Sequence, residues 1–374
     1  MKSRIIEKTC KEILSLAGIE VNGPNPWDIQ INNNNFFKRA LTEAELGIGE
    51  SYMDGWWECE EIDELIYRVI RERLDEKVKR KLSIIFKILL ARIINFQSKK
   101  RAFIIGERHY DLGNDLFQNM LDKRMNYSSA YWKGADNLDD AQENKLELIC
   151  QKLYLQEGTR VLDIGCGWSA FGKYAAEKYN VETVGVTVSK EQVELGKEMC
   201  KGLPVEIRLQ DYRELNEKFD CIVSVGMIEH VGYKNYKTYF QVANRCLKDD
   251  GLFLLHTIGE VKSVKANDAW TEKYIFPNSM LPSVAQLGNA IEGLFVMEDW
   301  HNFGADYDKT LMAWYKNFNS YWQKLKLKYD ERFYRMWKYF LLSSAGAFRA
   351  RSKNQLWQIV LSKKGFLGGY KSVR

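Results

Sequence analysis

The stretch VLDIGCGWS (161–169) joins an apolar run to a helical one through two glycines, and the rest of the fold is read outward from it. Val161, Leu162 and Ile164 make a short buried strand. FGKYAAEKY (171–179) has helical spacing. A strand-to-helix turn of this kind lies at the carboxyl edge of a parallel sheet, where such folds bind ligands. Gly165 and Gly167 let a ligand approach the backbone closely, and the helix N-terminus offers unpaired N–H donors. Further short runs rich in Val, Ile, Leu and Phe follow at VETVGVT (181–187), PVEIRL (204–209), FDCIVSV (219–225) and GLFLLHT (251–257). Helical segments KEQVELGKEMC (190–200) and YKTYFQVANRCL (236–247) lie between them. This alternation predicts a parallel, doubly wound α/β sheet. LFVMED (294–299) and LWQIVLS (356–362) are later strand candidates.

The remainder of the 374 residues has a different texture. KEILSLAGI (11–19), LTEAELGIGESYMDG (41–55) and EIDELIYRVI (61–70) carry apolar residues at three-to-four spacing and predict a small helical unit. NPWDIQINNNN (25–35) is its clearest break. Hydrophobic residues at 45% and charged residues at 28% exclude a disordered or collagen-like chain. Five prolines exclude a proline-rich linker. No internal repeat is present. The net charge of +5 is unevenly placed, because Arg68 to Arg101 holds twelve Lys/Arg against three Asp/Glu. Such a segment is a footprint for an anionic surface or else a solvated helix face. Within it, LSIIFKILLARIINF (82–96) reads as an amphipathic helix, too short and too charged to span a bilayer. Seven cysteines without a CxxC pair predict a reduced, cytosolic protein without a zinc knuckle. Met1 to Gly18 lacks the apolar core of a signal peptide. Between Trp314 and Phe340 eleven of 27 residues are aromatic, and their spacing predicts a buried helix face.

The string Gly165-x-Gly167-x-x-Ala170 fits a dinucleotide fingerprint. The acid expected about 20 residues on is missing, however, since the second strand ends in Thr187-Val188-Ser189. Asp163 stands two residues before the first glycine, and D-x-G-x-G resembles the first motif of the class I S-adenosylmethionine (AdoMet) methyltransferases. A nicotinamide or flavin enzyme is the other reading of this turn. Gln210-Asp211-Tyr212, after the third strand, suits recognition of an adenine ring.

Longer blocks are more specific. HYDLGNDLF (109–117), YSSAYW (127–132), VLDIGCGW (161–168), LQDYR (209–213) and VSVGMIEHVG (223–232) run in order along the chain. GLFLLHTIG (251–259), KYIFPN (273–278), MEDWHNFGADYD (297–308) and AGAFRAR (345–351) continue them. Together they resemble the cyclopropane-fatty-acyl-phospholipid synthases, including the longer bacterial form. The resemblance implies a seven-stranded, Rossmann-like AdoMet-methyltransferase domain over 109–374, a linker at 89–108 and a lipid-docking N-terminal domain at 1–88. It implies transfer of the AdoMet methyl to the cis double bond of an acyl chain in a membrane phospholipid. Proton loss from a carbocation then closes a three-membered ring, with bicarbonate as the base. It further implies a homodimer at the inner face of the cell membrane, and no nucleic-acid partner.

By the same resemblance, Glu229 accepts the bicarbonate hydroxyl, while His256, Tyr307 and the backbone N–H groups of Ser129 and Ile258 donate to its oxygens. Glu229 and His256 also follow the fourth and fifth strands, at the ligand-binding edge. The cofactor positions are Tyr127, Ser128, Asp163, Gly165, Cys166, Gly167, Thr187, Ser189, Gln192, Gln210, Asp211 and Tyr212. Aromatic faces stabilise positive charge without acting as nucleophiles, which offers Tyr307 and the 314–340 aromatics a second role. His109, His230 and His301 are expected to be structural. Three positions depart from the family pattern: Ser129 and Ser344 replace cysteines, and Ser169 replaces glycine. The serines at 129 and 344 exclude a thiol nucleophile at either place. Three alternatives stay open: an AdoMet methyltransferase acting on a small molecule or on nucleic acid, an acyl-chain methyltransferase without ring closure, and a non-catalytic lipid-binding module. Gly226-Met227-Ile228-Glu229 stands where many amino-methylating enzymes carry an Asn/Asp-Pro-Pro-Tyr loop.

Overall fold

The computed structural model describes residues 2–74 and 113–374. The amphipathic stretch 82–96, the linker at 89–108, His109 and most of the basic segment lie outside the described residues. The chain forms two units. One comprises residues up to Leu116 with Asp268–Pro277 and Trp314–Lys353, and the other Phe117–Asn267, Asn278–Ala313 and Asn354–Arg374. The expected division at 88 and 108 is sequential, whereas each of these units is built from three segments.

The first unit is helical, with helices Lys2–Ser15, Asn35–Met53 (kinked at Ala44), Ile62–Arg71, Ala269–Tyr274 and Glu331–Ala350. The two-residue strand β1 (Gln30–Ile31), within the Asn-rich break, pairs antiparallel with β2 (Trp57–Glu58). Glu50, 8% exposed, is bound by Arg39, by Lys273 (2.7 Å) and by the Tyr274 hydroxyl (2.8 Å), so its buried charge is compensated. Trp270 packs edge-on against Tyr339 at 4.9 Å. Gly346 lies so close to the neighbouring helix that a Cβ would strike the Asp63 carbonyl and the Tyr67 amide. Arg349 binds Asp63 at 2.7 Å beside that contact. Trp314, Phe318, Phe333 and Trp337 are almost completely buried, as core packing requires.

The second unit is built on a seven-stranded sheet. Its strands are β3 (Arg160–Ile164), β4 (Glu182–Thr187), β5 (Val205–Leu209), β6 (Phe219–Val225), β7 (Leu247–Glu260), β8 (Val296–Asn302) and β9 (Asn354–Ser362). They lie in the order β5-β4-β3-β6-β7-β9-β8, with β9 antiparallel to both neighbours and the first five parallel. Side chains alternate along β7: Phe253 and Leu255 join one core with Tyr239, Phe240 and Trp357, while Leu252 and Leu254 join another with Ile149, Phe171 and Tyr174. Burial on both faces is why these strands read as unbroken apolar runs. The order reverses between β3 and β6, which opens a crevice at their carboxyl ends. Among the described residues no helix is long and apolar enough to cross a membrane.

Candidate active site

At the β3 edge, Gly165 (φ +82°) and Gly167 (φ +54°) are both left-handed. A Cβ on Gly165 would also meet Met227, whereas above Gly167 the space is open, as a ligand-cradling turn requires. Ser169 is left-handed as well (φ +64°), a conformation that glycine adopts without cost. Cys166 is buried, and burial holds its thiol well above the ordinary range, so it is no nucleophile.

Asp163 ends β3 with 3% exposure, and burial pushes its carboxyl up to about 7 against the opposing pull of Lys145. Among the described residues no side chain donates to it. A buried, undonated carboxylate beside an open glycine turn fits the ammonium end of AdoMet. Helix Leu138–Lys152 presents Gln142 and Lys145 to the segment before Ser129. Lys145 donates to Asn126 Oδ1 (2.8 Å) and Ser128 Oγ (3.0 Å), and Gln142 Nε2 donates to the Ser128 carbonyl (2.9 Å). Asn126 is in turn held by Asp122 through its amide and side chain. Burial pushes Lys145 down to about 8, which leaves it charged at neutral pH.

The β4 and β5 edges carry the other expected cofactor residues. Thr187 donates to Gln192 Oε1 (2.7 Å), and the Gln210 amide donates to the Thr187 carbonyl (3.0 Å). Ser189 caps the helix Lys190–Met199. Asp211 is gripped by the Arg213 guanidinium (2.9 and 2.5 Å), so its carboxylate is already partnered. Tyr212 stands edge-on to Tyr239 at 5.6 Å, and Tyr127 edge-on to Phe117 at 5.0 Å.

Glu229 and His256, the expected anion-holding residues, lie at the ends of β6 and β7. Glu229, in the short turn Ile228–His230, is 5% exposed. Its Oε1 accepts from the Ile258 N–H (2.8 Å), and its Oε2 has no hydrogen-bond partner among the described residues. Ile258, expected to donate to a bound anion, therefore spends its N–H on Glu229. Burial pushes the Glu229 carboxyl up to about 7. His256 is 1% exposed, and burial drives it far below its ordinary value, so it is neutral. Its Nδ1 faces Gln358 Nε2 at 3.3 Å, and its Nε2 has no hydrogen-bond partner among the described residues. With Gln358 donating, the proton sits on Nε2 and is available to a ligand. Tyr307 is buried, and its hydroxyl is held protonated by burial and the Glu229 charge. Thr310 Oγ1 accepts from the Ala130 amide (3.1 Å) and the Trp132 indole (2.9 Å), and Asp306 accepts from the Trp132 amide (2.7 Å). These bonds fasten the Ser129 segment to the first turns of the helix Ala305–Leu325, which carries Tyr307. A small oxyanion with one hydroxyl fits this set, because it would answer both the acceptor Glu229 Oε2 and the donor His256 Nε2.

His301 contacts Lys152 at 3.1 Å, and Asp299 binds Lys152 (3.6 Å) and Arg374 (2.6 Å). It is structural, and His230 is exposed. Gln358, Lys145 and Gln142 are absent from the residues singled out by sequence. Their signal was a polar residue on an apolar face: Gln358 interrupts LWQIVLS, and Lys145 falls four residues from both Ala141 and Ile149. Gln358→Glu should replace the donor to Nδ1 by an acceptor, move the ring proton there and remove the Nε2 donor. Turnover is expected to fall roughly 100-fold with SAH binding by calorimetry unchanged. Unchanged turnover would show that the tautomer is immaterial.

Strand order, glycine turn and acidic Asp163 define an AdoMet-dependent transferase of the class I methyltransferase type. The comparisons narrow this. The family model for mycolic acid cyclopropane synthetase matches residues 97–359. The cyclopropane-fatty-acyl-phospholipid synthase of Escherichia coli K12 is 56% identical over 356 residues, 95% of this chain and 93% of that one. The sphingolipid C9-methyltransferase A of Emericella nidulans is 33% identical over 274 residues, 68% of this chain and 52% of that one. Among solved structures, the mycolic acid cyclopropane synthase CmaA1 in complex with SAH and CTAB superposes with a TM-score of 0.63 at 31% identity, covering 70% of this chain and 98% of that one. The chain belongs to the mycolic acid cyclopropane synthetase family.

Proposed function

We propose that this protein transfers a methylene from AdoMet across the cis double bond of an unsaturated acyl chain in a membrane phospholipid, closing a cyclopropane ring. The observation that carries the reading is the buried pair of unanswered atoms, Glu229 Oε2 and His256 Nε2, in a chain so similar to a phospholipid cyclopropane synthase. AdoMet supplies the electrophilic methyl group, and bicarbonate, when bound, supplies the base for the proton lost on ring closure. Asp163, Ser128 and the Gly165–Gly167 turn hold the amino-acid end of the cofactor, and Thr187, Gln192, Gln210 and Tyr212 its nucleoside. Glu229 accepts the hydroxyl proton of the anion, and His256 Nε2, Tyr307 and the Ser129 amide donate to its other oxygens. An alkene is a weak nucleophile, so holding the reactants in line is the main source of rate. Positive charge on the acyl chain would be trapped by water, so the burial of Glu229, His256 and Tyr307 keeps the reaction dry.

The test is incubation of the full chain with AdoMet, bicarbonate and liposomes of a mono-unsaturated phospholipid, followed by mass spectrometry and NMR of the fatty methyl esters. Cyclopropane protons are the expected result. A methyl branch of the same added mass would instead assign methylation without ring closure, and no added mass would overturn the reading.

Docking on the bilayer follows from the basic segment, which acts from the inner membrane face at about 1 kcal/mol per cation near anionic lipid. Arg68 is already engaged, bonded to Glu64 and stacked over Trp27 at 3.9 Å. Reversing Lys77, Lys79, Arg80 and Lys81 to Glu should therefore abolish co-sedimentation with anionic liposomes while turnover on detergent-dispersed lipid survives. Undiminished co-sedimentation would rule the segment out as the dock.

A further inference from the structure

Behind Ser128, the buried polar chain Asp122–Asn126–Lys145 lies outside every role assigned so far. Lys145 is 1% exposed, and its ammonium spends two of its protons on Asn126 Oδ1 and Ser128 Oγ. Its position is set by covalent and packing constraints independent of any ligand. The helix Leu138–Lys152 is capped by Asn137, whose side chain accepts from the Asp140 amide, and Leu146 and Ile149 anchor it in the core. Gln142, one turn earlier, holds the carbonyl of the same Ser128 (2.9 Å). Ser128 is thus grasped at carbonyl and hydroxyl by two side chains of one helix.

The consequence is directional. A hydroxyl that accepts from an ammonium has its own proton turned outward, and it is a stronger donor for being polarised. Among the described residues no acceptor takes the Ser128 O–H. Nearby, Asp163 is a buried carboxyl whose ionised form the Lys145 charge favours, against the desolvation of burial. Lys145 and Asp163 therefore present a buried positive and a buried negative charge to the same space, the inverse of an amino-acid zwitterion. On the cofactor the α-carboxylate is the one anionic acceptor, and of its two cations only the α-ammonium, unlike the sulfonium, can donate hydrogen bonds to Asp163.

We propose that Lys145 is a positioning residue that turns the Ser128 hydroxyl toward the α-carboxylate of the cofactor, so that with Asp163 it selects ligands carrying an intact amino-acid end. The inference rests on the cofactor reading above. It predicts discrimination between S-adenosylhomocysteine, which has that end, and 5′-methylthioadenosine, which lacks it.

The test is calorimetric binding of both nucleosides to the full-length chain and to Lys145→Met, Ser128→Ala and the double variant. Lys145→Met should weaken S-adenosylhomocysteine roughly 10- to 100-fold, the size of a lost hydrogen bond to a charged group, and leave methylthioadenosine unchanged. Ser128→Ala should do the same, and the double variant should lose no more than either single one. Equal weakening of both nucleosides would make Lys145 a merely structural residue and overturn the proposal, as would losses that add in the double variant. Should Lys145→Met fail to fold, Ser128→Ala decides, since an unaltered preference for S-adenosylhomocysteine there also overturns it. A parent protein that binds neither nucleoside would instead remove the cofactor reading itself.

Discussion

Glu229→Gln is expected to lower cyclopropane formation by roughly 10²- to 10⁴-fold, the range of a lost proton-handling group, with S-adenosylhomocysteine binding unchanged. The substitution keeps the shape and the acceptor for the Ile258 N–H, but places an NH2 donor or a neutral oxygen where the carboxylate faces the site. Retained turnover would show that the unanswered Oε2 has no part in the chemistry. The sign of the pH dependence follows from the same group. Burial pushes the Glu229 carboxyl up to about 7, and only its ionised form is acceptor-only at both oxygens, taking the Ile258 N–H at Oε1 and leaving Oε2 for a hydroxyl. At saturating AdoMet and constant bicarbonate, turnover should therefore rise as pH passes upward through about 7 and level off above it. His256 stays neutral and Tyr307 stays protonated over that interval. Saturation removes from the profile the ionisation of Asp163, also near 7, which acts on cofactor binding. The residual rate of Glu229→Gln should lack the inflection.

Trp337→Ala should cost about 3–5 kcal/mol of stability, since it empties a fully buried indole site. The ring stacks on Phe333 (centroids 5.9 Å, 13° between planes) and meets Phe340 at 5.3 Å, so two neighbouring rings lose contact at once. A fall in the unfolding midpoint of roughly 6–20 °C is expected by scanning calorimetry. The experiment also separates two meanings of the aromatic block. Packing predicts that stability falls while the turnover of the remaining folded protein is kept. A charge-stabilising platform predicts lost turnover at an unchanged midpoint.

Much of the sheet was legible because it is buried on both faces. FDCIVSV coincides with β6, and the runs at 159–165, 181–187 and 204–209 each enclose an observed strand. The β1–β2 pair was not legible, since two residues carry no periodicity. Glu229 and His256 could be found because strand ends in this topology are ligand edges. Their partners could not: Gln358 meets His256 only through the β7–β9 register, and Ile258 is committed to Glu229 by a turn that sequence does not describe. The aromatic stretch 314–340 advertised a need for burial but not its partner. That partner proves to include Tyr52 and Trp57, whose rings meet that of Tyr339 at 5.6 and 6.3 Å; the helix Glu331–Ala350, which carries Tyr339, goes on to pack against the helix Ile62–Arg71 at Gly346, on Asp63 and Tyr67.

This last arrangement has a consequence for how the protein is made. The helix Ile62–Arg71 emerges early from the ribosome, while the helix Glu331–Ala350 that covers it is translated about 280 residues later, which at about 5–20 residues per second is on the order of 15–60 s. For that interval Ile62 and Leu65, both buried in the finished fold, lack the cover that the later helix provides. Fusion, shuffling or truncation at a single point near residue 88 would make the interval permanent, so the N-terminal portion is inherited together with the two later segments or not at all.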